Sequence, residues 1–196
     1  MGKLPLTEFI DVFPLLITKQ EIFGYDDDEE AEVVNTILDD GNLGNHDLID
    51  KGHTSTTRDF FESFPKLKNC IQGAIKEYSK KVGLEEPTIT HSWYGVYDQG
   101  GKIIRHNHSG SVISGAYYPY VEKKYTSIIF ENPTMVLRPT DPIISATNYS
   151  TQAKGVPVQQ GDLVLFPSYM YHWTDPNNSG KRCVVSFNSQ TPAFSG

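Results

Sequence analysis

The pattern of hydrophobic positions changes near residue 88, from helical spacing to short apolar runs. Before that point, one stretch repeats apolar residues every three or four positions, which predicts a helix with one apolar face. These residues are Leu67, Ile71, Ile75 and Tyr78. Gly83 follows as a stop signal, because glycine readily adopts the left-handed conformation of a C-cap. We expect this helix to cover a sheet.

An earlier helix is predicted by AEVVNTILDDG, which follows the acidic run from Asp26 to Glu30. Acidic side chains at a helix start interact favourably with the positive end of the backbone dipole, and Gly41 then supplies a stop. We therefore interpret the acidic run as helix capping, in preference to a metal site.

From about Thr88 onward, β-rich runs alternate with turn residues, which is typical of short strands. The runs are TITHSWYGVYD, KIIRHNH, VISGAYYPYV, TSIIFENP, VPVQQ, DLVLFPS and RCVVSFN. This order predicts a mainly β fold, namely a sandwich, barrel or jelly roll, with flanking N-terminal helices. A chain of 196 residues favours one domain. We expect residues 1–87 to form a helical or mixed support region and residues 88–196 to form the β core.

The composition narrows the function classes. A formal charge of -7 at pH 7 argues against nucleic acid as a partner, because such binders need clustered Lys and Arg to displace counterions. Cys70 and Cys183 are too few for a disulfide framework, which favours a reducing compartment. The N-terminal segment lacks a secretory pattern and no apolar run reaches membrane-spanning length. We therefore expect a soluble, cytoplasmic protein without a membrane partner; the sequence predicts no oligomeric state.

His106 and His108 are separated by one residue and lie shortly before the run VISGAYYPYV. If their segment is extended, both imidazoles point to the same side and can bind one metal ion. A metal site normally needs a third protein ligand, and His172, after the run DLVLFPS, is the best candidate. The remaining histidines lack such spacing. We interpret His46 and His53 as surface or helix-flank residues and His91 as strand packing.

Arg182 begins the apolar run RCVVSFN, ten residues after His172. One interpretation is a buried guanidinium that faces a cavity and receives a ligand carboxylate. The other is a strand-end residue in solvent, since a turn precedes it, and the residues leave both open. Three tyrosines near the histidine pair are ordinary strand residues, yet a phenol beside Arg182 could complete a carboxylate pocket. They are Tyr97, Tyr117 and Tyr118.

Together these segments resemble the iron(II)- and 2-oxoglutarate-dependent oxygenases, in particular the branch near prolyl hydroxylases. The resemblance spans about Ser92 to Asn188. VYDQGGKIIRHNHSG is similar to the strand, glycine turn and H-x-D/E segment of that family. SGAYY is similar to its next core strand, and GDLVLFPSYMYHWTDP with GKRCVVSFN is similar to its distal part.

The resemblance implies a double-stranded β-helix, or jelly roll, in which His106 and His172 bind Fe(II). It also implies that Arg182 binds the cosubstrate 2-oxoglutarate. Tyr97 and Tyr118 fall where prolyl-hydroxylase-like members place tyrosines that line the 2-oxoglutarate pocket. The implied activity is that of a dioxygenase that hydroxylates a C–H bond, while 2-oxoglutarate and O2 become succinate and CO2.

The sequence departs from the family pattern at one ligand. The family has a carboxylate where this chain has His108, although a subgroup with an H-x-H motif is similar. Exchanging a carboxylate for a neutral imidazole leaves a ferrous site one unit more positive. Three neutral histidines accept Fe(II), Zn(II) or Ni(II), so the residues favour a metal more firmly than they favour iron. Nearby carboxylates lack the right spacing and are interpreted as turn or capping residues: Asp98, Asp162 and Asp175.

The substrate implied by the resemblance is a peptide or a small molecule, with peptidyl proline as one candidate. The segment from Arg138 to Gly155 is long enough for a substrate loop, or it is a surface connection. Two alternatives stay open. One is a cupin-type three-histidine enzyme that does not use 2-oxoglutarate, and the other is a non-catalytic jelly-roll binding module.

Overall fold

The computed structural model describes residues 14–22, 24–122, 126–135, 142–178 and 180–192. The helices are α1 (Asp27–Leu38), the 3-10 helix η1 (Phe60–Ser63) and α2 (Pro65–Val82). The strands are β1 (Thr18–Glu21), β2 (Ile49–Thr54), β3 (Thr88–Ile103), β4 (Ile113–Val121), β5 (Thr126–Glu131), β6 (Ala153–Val158), β7 (Asp162–Pro167), β8 (His172–Trp173) and β9 (Arg182–Gln190). Within these ranges, no helix combines the length and apolar character that a membrane span requires.

The strands form two sheets, and an apolar cluster lies between them. The larger sheet has six strands in the order β1-β7-β4-β9-β3-β2, and the smaller has three in the order β6-β5-β8. Neighbouring strands are antiparallel in both sheets. The intervening cluster joins Tyr118 and Val164 of the larger sheet to Ile128 and Phe130 of the smaller. The predicted mainly β, jelly-roll fold with flanking helices is confirmed.

Two edge strands of the larger sheet come from the N-terminal half of the chain. β1 pairs with β7, and β2 pairs with β3. Their sequences, TKQE and IDKGHT, are polar and show no apolar alternation, so the pattern of the sequence did not predict them. The larger sheet therefore combines strands from before and after Thr88.

The helices pack on the outer face of the larger sheet. All four apolar residues predicted for the face of α2 are buried, which confirms the helical interpretation. They join a cluster that includes Leu165 and Phe187 of the sheet. Gly83 caps α2 in the left-handed conformation, with φ of 74°.

The acidic run caps α1, as predicted. The side chain of Asp26 accepts a hydrogen bond from the backbone N of Glu29 at 2.9 Å. The Glu29 carboxylate in turn accepts from the backbone N of Leu67 at 2.7 Å, in the first turn of α2. One acid of this run therefore satisfies a free donor at the start of the other helix and joins the two helices.

Candidate metal and cosubstrate site

A cavity of about 560 Å³ opens between the two sheets. Its wall includes every site residue predicted from the sequence, namely Tyr97, His106, His108, Tyr118, His172 and Arg182. Tyr117 instead belongs to the cluster beneath the helices. Alternation along β4 explains this difference, since neighbouring side chains of a strand point to opposite faces.

The three histidines meet beyond the end of β3, beside β8. His106 and His172 form an isolated antiparallel bridge, in which the backbone N of each donates to the backbone O of the other, at 3.0 and 2.8 Å. The backbone N of His108 donates to the backbone O of Ser168 at 2.9 Å. KIIRHNH does not form a separate strand as predicted, because β3 continues through the glycine pair to Ile103. The histidine pair follows that strand, and His106 is bridged to β8 of the smaller sheet.

The three imidazoles lie close enough to bind one metal ion. Their ring centroids are 4.3 to 5.1 Å apart, and one ligand nitrogen from each lies within 4.8 Å of the others. Nε2 of His108 is 3.3 Å from Nε2 of His172. Metal–nitrogen bonds of about 2.1 Å place neighbouring ligand nitrogens about 3 Å apart, so this spacing fits a shared transition-metal ion.

Backbone carbonyls set the tautomers of two of these rings. Nδ1 of His106 lies 2.8 Å from the carbonyl O of Ile104, and Nδ1 of His172 lies 3.0 Å from that of Met170. A carbonyl oxygen can only accept, so each Nδ1 carries the proton and each Nε2 presents a lone pair. Carbonyls that fix a ligating imidazole in this way are a usual feature of metal sites.

Burial keeps the three imidazoles neutral, which is the form that binds a metal. Desolvation lowers the pKa of His106 below its ordinary value. Desolvation, followed by the nearby His106, lowers the pKa of His108 to about 4 and that of His172 to about 3. The residues present therefore fit a divalent transition-metal ion.

No carboxylate or thiol of the described ranges joins the three histidines. Asp98 and Asp175 are exposed. Asp162 accepts from the backbone N of Gln159 at 2.9 Å and pairs with Lys19 at 3.2 Å, so it closes a turn, as predicted. The group that the fold brings together consists of three imidazoles.

A polar network supports His108, and sequence reasoning missed it. The side chain of Asn188 lies near the His108 ring and partly offsets the lowering of the pKa of that imidazole. The hydroxyl of Ser114 donates to Oδ1 of Asn188 at 2.8 Å and lies 2.7 Å from the hydroxyl of Ser168. Ser and Asn are ordinary strand residues whose meeting depends on the pairing of β4, β7 and β9, so no local pattern indicated it.

Apolar side chains surround His172. The His172 ring lies 4.7 Å from the Phe166 ring and 5.9 Å from the Phe130 ring, between centroids. His172 is 5% exposed. The two phenylalanines therefore restrict the orientation of this imidazole and limit the access of water to it.

Arg182 lines the same cavity and is fully buried. Its Nη1 donates to the hydroxyl of Thr126 at 2.7 Å and its Nη2 to that of Thr174 at 3.3 Å. Its guanidinium carbon lies 4.6 Å from the centre of the Tyr97 ring. Neither threonine was predicted as a site residue. The solvent-exposed interpretation of Arg182 is wrong, because β9 carries it into the space between the sheets.

The buried Arg182 has no carboxylate partner in the described part of the chain, and its Nε has no hydrogen-bond partner there. Desolvation lowers the pKa of its guanidinium, although arginine remains charged in proteins. Burial raises the pKa of Tyr97 to about 12 and also raises the pKa of Tyr118. Both phenols therefore stay protonated at neutral pH. The cavity around Arg182 is suited to a bound carboxylate, since a buried charge is costly until it is paired.

Two histidines that sequence reasoning set apart also line the cavity, His46 and His91. His46 is exposed, as predicted. The strand-packing interpretation of His91 is wrong, because its side chain is exposed and lies 3.1 Å from the Thr90 hydroxyl. A register shift between Ile89 and His91 in the β3–β9 pairing explains this, since a bulge breaks the alternation of inward and outward side chains.

Comparison with known proteins agrees with this geometry. The family model described as "Putative 2OG-Fe(II) oxygenase" matches residues 91–188. A Pseudomonas putida prolyl-4-hydroxylase is similar in structure, with a TM-score of 0.56 and 14% identity over 89% of this chain and 92% of that chain. A Trichoplax adhaerens prolyl hydroxylase, in complex with a hypoxia inducible factor peptide fragment, has a TM-score of 0.62 and 14% identity over 91% and 84%.

HygX from Streptomyces hygroscopicus, with nickel, 2-oxoglutarate and hygromycin B bound, has a TM-score of 0.58 and 10% identity over 93% of this chain and 90% of that chain. At these identities the similar structures show the fold alone. No curated protein sequence matches the chain. The family match covers half of the chain, and this protein therefore belongs to the 2OG-Fe(II) oxygenases, whose cofactor is Fe(II) and whose cosubstrate is 2-oxoglutarate.

Proposed function

We propose that this protein is a dioxygenase that hydroxylates a C–H bond of a peptide or small-molecule substrate and converts 2-oxoglutarate and O2 to succinate and CO2. One observation carries the proposal. A single cavity is lined by three histidines with converging nitrogens and by a buried arginine that has no carboxylate partner among the described residues. A metal ion explains the histidine cluster, and an acidic ligand explains the buried arginine.

In this proposal the metal ligands are His106, His108 and His172. When bound there, Fe(II) supplies the activation of O2 and the oxidation of the substrate C–H bond. The three residues hold the ion on one side, which leaves the cavity side for the cosubstrate. His108 replaces a family carboxylate, so the protein contributes no negative charge to the ion. The acidic cosubstrate then supplies the neutralising charge.

Arg182 binds the distal carboxylate of 2-oxoglutarate in this proposal. Thr126 and Thr174 each accept from one terminal nitrogen, and the Tyr97 ring lies against the guanidinium face. These contacts fix the orientation of the guanidinium before the ligand arrives, which favours directional, charge-assisted hydrogen bonds. A phenol O–H of Tyr97 or Tyr118 adds a neutral donor to the same carboxylate.

The substrate class follows from analogy and is a proposal. The similar structures hold a peptide fragment in one case and hygromycin B in another, so both peptides and small molecules are candidates, peptidyl proline included. We also propose that the whole chain, 1–196, is one oxygenase domain, with residues 88–196 as the jelly-roll core and residues 1–87 as a helical or mixed support region that adds two edge strands to its larger sheet. The segment proposed as a substrate loop, Arg138 to Gly155, falls partly outside the described residues.

Succinate formation tests the proposal. The purified protein, loaded with Fe(II) and supplied with 2-oxoglutarate and air, is expected to form succinate slowly even without substrate. His108→Ala is expected to abolish this turnover. His53→Ala is the matched control, because His53 is exposed on β2 and outside the cavity wall. Metal binding without any succinate in the wild type would support the cupin-type alternative, and failure to bind metal would support the binding module.

A further inference from the structure

The cavity wall carries positive charge only. Among the described residues that line it there is no Asp or Glu, but there are two arginines, Arg58 and Arg182. The whole chain has 24 acidic and 17 basic residues, so its acids lie elsewhere. A cleft lined by charge of one sign concentrates ligands of the opposite sign. Arg182 has a proposed ligand already, whereas Arg58 has none.

The backbone around Arg58 is anchored beside β3. The backbone N of Ser92 donates to the carbonyl O of Arg58 at 2.8 Å, and Asp59 forms a parallel bridge with Ser92. The guanidinium carbon of Arg58 lies 5.4 Å from the centre of the Trp93 ring. That ring stacks on His108, with centroids 5.7 Å apart and planes 28° apart. Trp93 therefore contacts both the exposed Arg58 and His108, a proposed metal ligand.

The Arg58 side chain is free to bind an anion. No ion pair or hydrogen bond links its guanidinium to another residue in the described ranges. The other exposed arginine of those ranges, Arg105, is already bound to Glu131 and lies on Tyr171. A guanidinium that lies on an aromatic face keeps its N–H edge available, and that edge matches the two oxygens of a carboxylate.

We infer that Arg58 and Trp93 form the substrate subsite and that the substrate is an organic acid, whose carboxylate binds Arg58 while Trp93 contacts its carbon chain. This inference rests on the proposed oxygenase function and adds the substrate class to it. The subsite offers a single cation, which matches a singly charged carboxylate better than a phosphate dianion. The reacting C–H bond then lies a few bonds from the carboxylate, on the side of His108.

Matched pairs of acids and amides test the inference. Small organic acids, including N-acetylated neutral amino acids, are each assayed beside the corresponding primary amide for stimulation of succinate formation. At least one acid is expected to stimulate turnover while its amide does not. Arg58→Gln is expected to raise the KM for that acid roughly 10- to 100-fold, as for loss of a charge-assisted hydrogen bond, and Arg58→Lys to restore part of it.

Lys68→Gln is the control, because it removes the same charge from α2, where Lys68 pairs with Glu62 outside the cavity wall. Equal stimulation by acids and amides would overturn the inference, as would a panel in which no acid stimulates the basal turnover. An unchanged KM in Arg58→Gln would also overturn it.

A second measurement needs neither metal nor turnover, so it separates failure of the subsite from failure of the oxygenase proposal. In a Trp173→Phe background, Trp93 is the remaining tryptophan of the chain. Its fluorescence is quenched with iodide, an anion, and with neutral acrylamide. Arg58→Gln is expected to lower the iodide quenching constant roughly twofold or more while the acrylamide constant stays the same. Unchanged iodide quenching would contradict an anion-attracting Arg58.

Discussion

Replacing Arg182 with methionine separates its effect on stability from its effect on ligand binding. In the free protein, two opposing contributions are lost. The hydrogen bonds to Thr126 and Thr174 each contribute about 1.5–3 kcal/mol, since the donor is charged. Burying a guanidinium without a carboxylate costs several kcal/mol. We therefore expect Arg182→Met to change the free energy of unfolding of the free protein by no more than about 2 kcal/mol.

The same substitution is expected to abolish binding of 2-oxoglutarate at ordinary concentrations. Removing one partner of a buried charge pair costs about 3–5 kcal/mol, which raises the Kd roughly a hundredfold to several thousandfold. In the wild type, a ligand at a hundred times its Kd stabilises the folded state by about 2.7 kcal/mol. For a chain of this size, that corresponds to a rise in Tm of roughly 5–11 °C.

Thermal unfolding without and with 2-oxoglutarate measures the change in protein stability and the stabilisation by the ligand. Nickel(II) is present in both cases, because three histidines accept it without redox chemistry. The wild type is expected to show the 2-oxoglutarate-dependent rise in Tm, and Arg182→Met to show none. Arg105→Met serves as a control, because the exposed Arg105 pairs with Glu131 outside the cavity wall. A full rise in Tm in Arg182→Met would refute the proposal that Arg182 binds the carboxylate of 2-oxoglutarate. A loss of more than about 4 kcal/mol in the free protein would show that Arg182 is structural.

Three further predictions concern the cavity wall, the metal and the thiols. Gly95→Ala would bring a Cβ to 2.9 Å from the Tyr97 ring. Calorimetry is therefore expected to show roughly tenfold weaker binding of 2-oxoglutarate, while the metal content stays unchanged. Gly155→Ala is the control, because the added Cβ would contact no other part of the protein within 4 Å. Removing the metal with a chelator is expected to lower the Tm and readdition to restore it, whereas an unchanged Tm would argue against a metal site. Burial raises the pKa of Cys183 to about 12 and also raises that of Cys70, so both thiols hold less thiolate at pH 8.5 than a free cysteine. Iodoacetamide should modify half-buried Cys70 slowly and buried Cys183 only after unfolding, as followed by mass spectrometry.

The three clustered histidines and Arg182 could be singled out from the sequence because their order is similar to a known pattern, although His108 departs from it. His106, His108, His172 and Arg182 each lie beside a recognisable strand, and the order of these residues is similar to that of a known family. The fold confirms that these residues line one cavity. Local periodicity was also sufficient to predict α2, because the apolar residues on one face of a helix recur every three or four positions along the sequence.

Other parts of the site depend on pairing between distant strands, which local periodicity does not encode. Asn188 and Ser114 support His108 only because β4 and β9 are neighbours. Thr126 and Thr174 reach Arg182 from two further segments of the chain. A bulge near His91 reverses the expected direction of its side chain. Such features follow from register, and register is set by the whole sheet.

The central claim is that one cavity holds a metal on three histidines and 2-oxoglutarate beside it. Anaerobic titration of the metal-free protein with Fe(II) and 2-oxoglutarate tests this claim most directly, through the weak visible charge-transfer band of the chelate. The band is expected in the wild type and in His53→Ala, and it is expected to disappear in His108→Ala. A band that persists in His108→Ala would remove His108 from the ligand set, and a wild type that binds one equivalent of iron without any band would contradict the account.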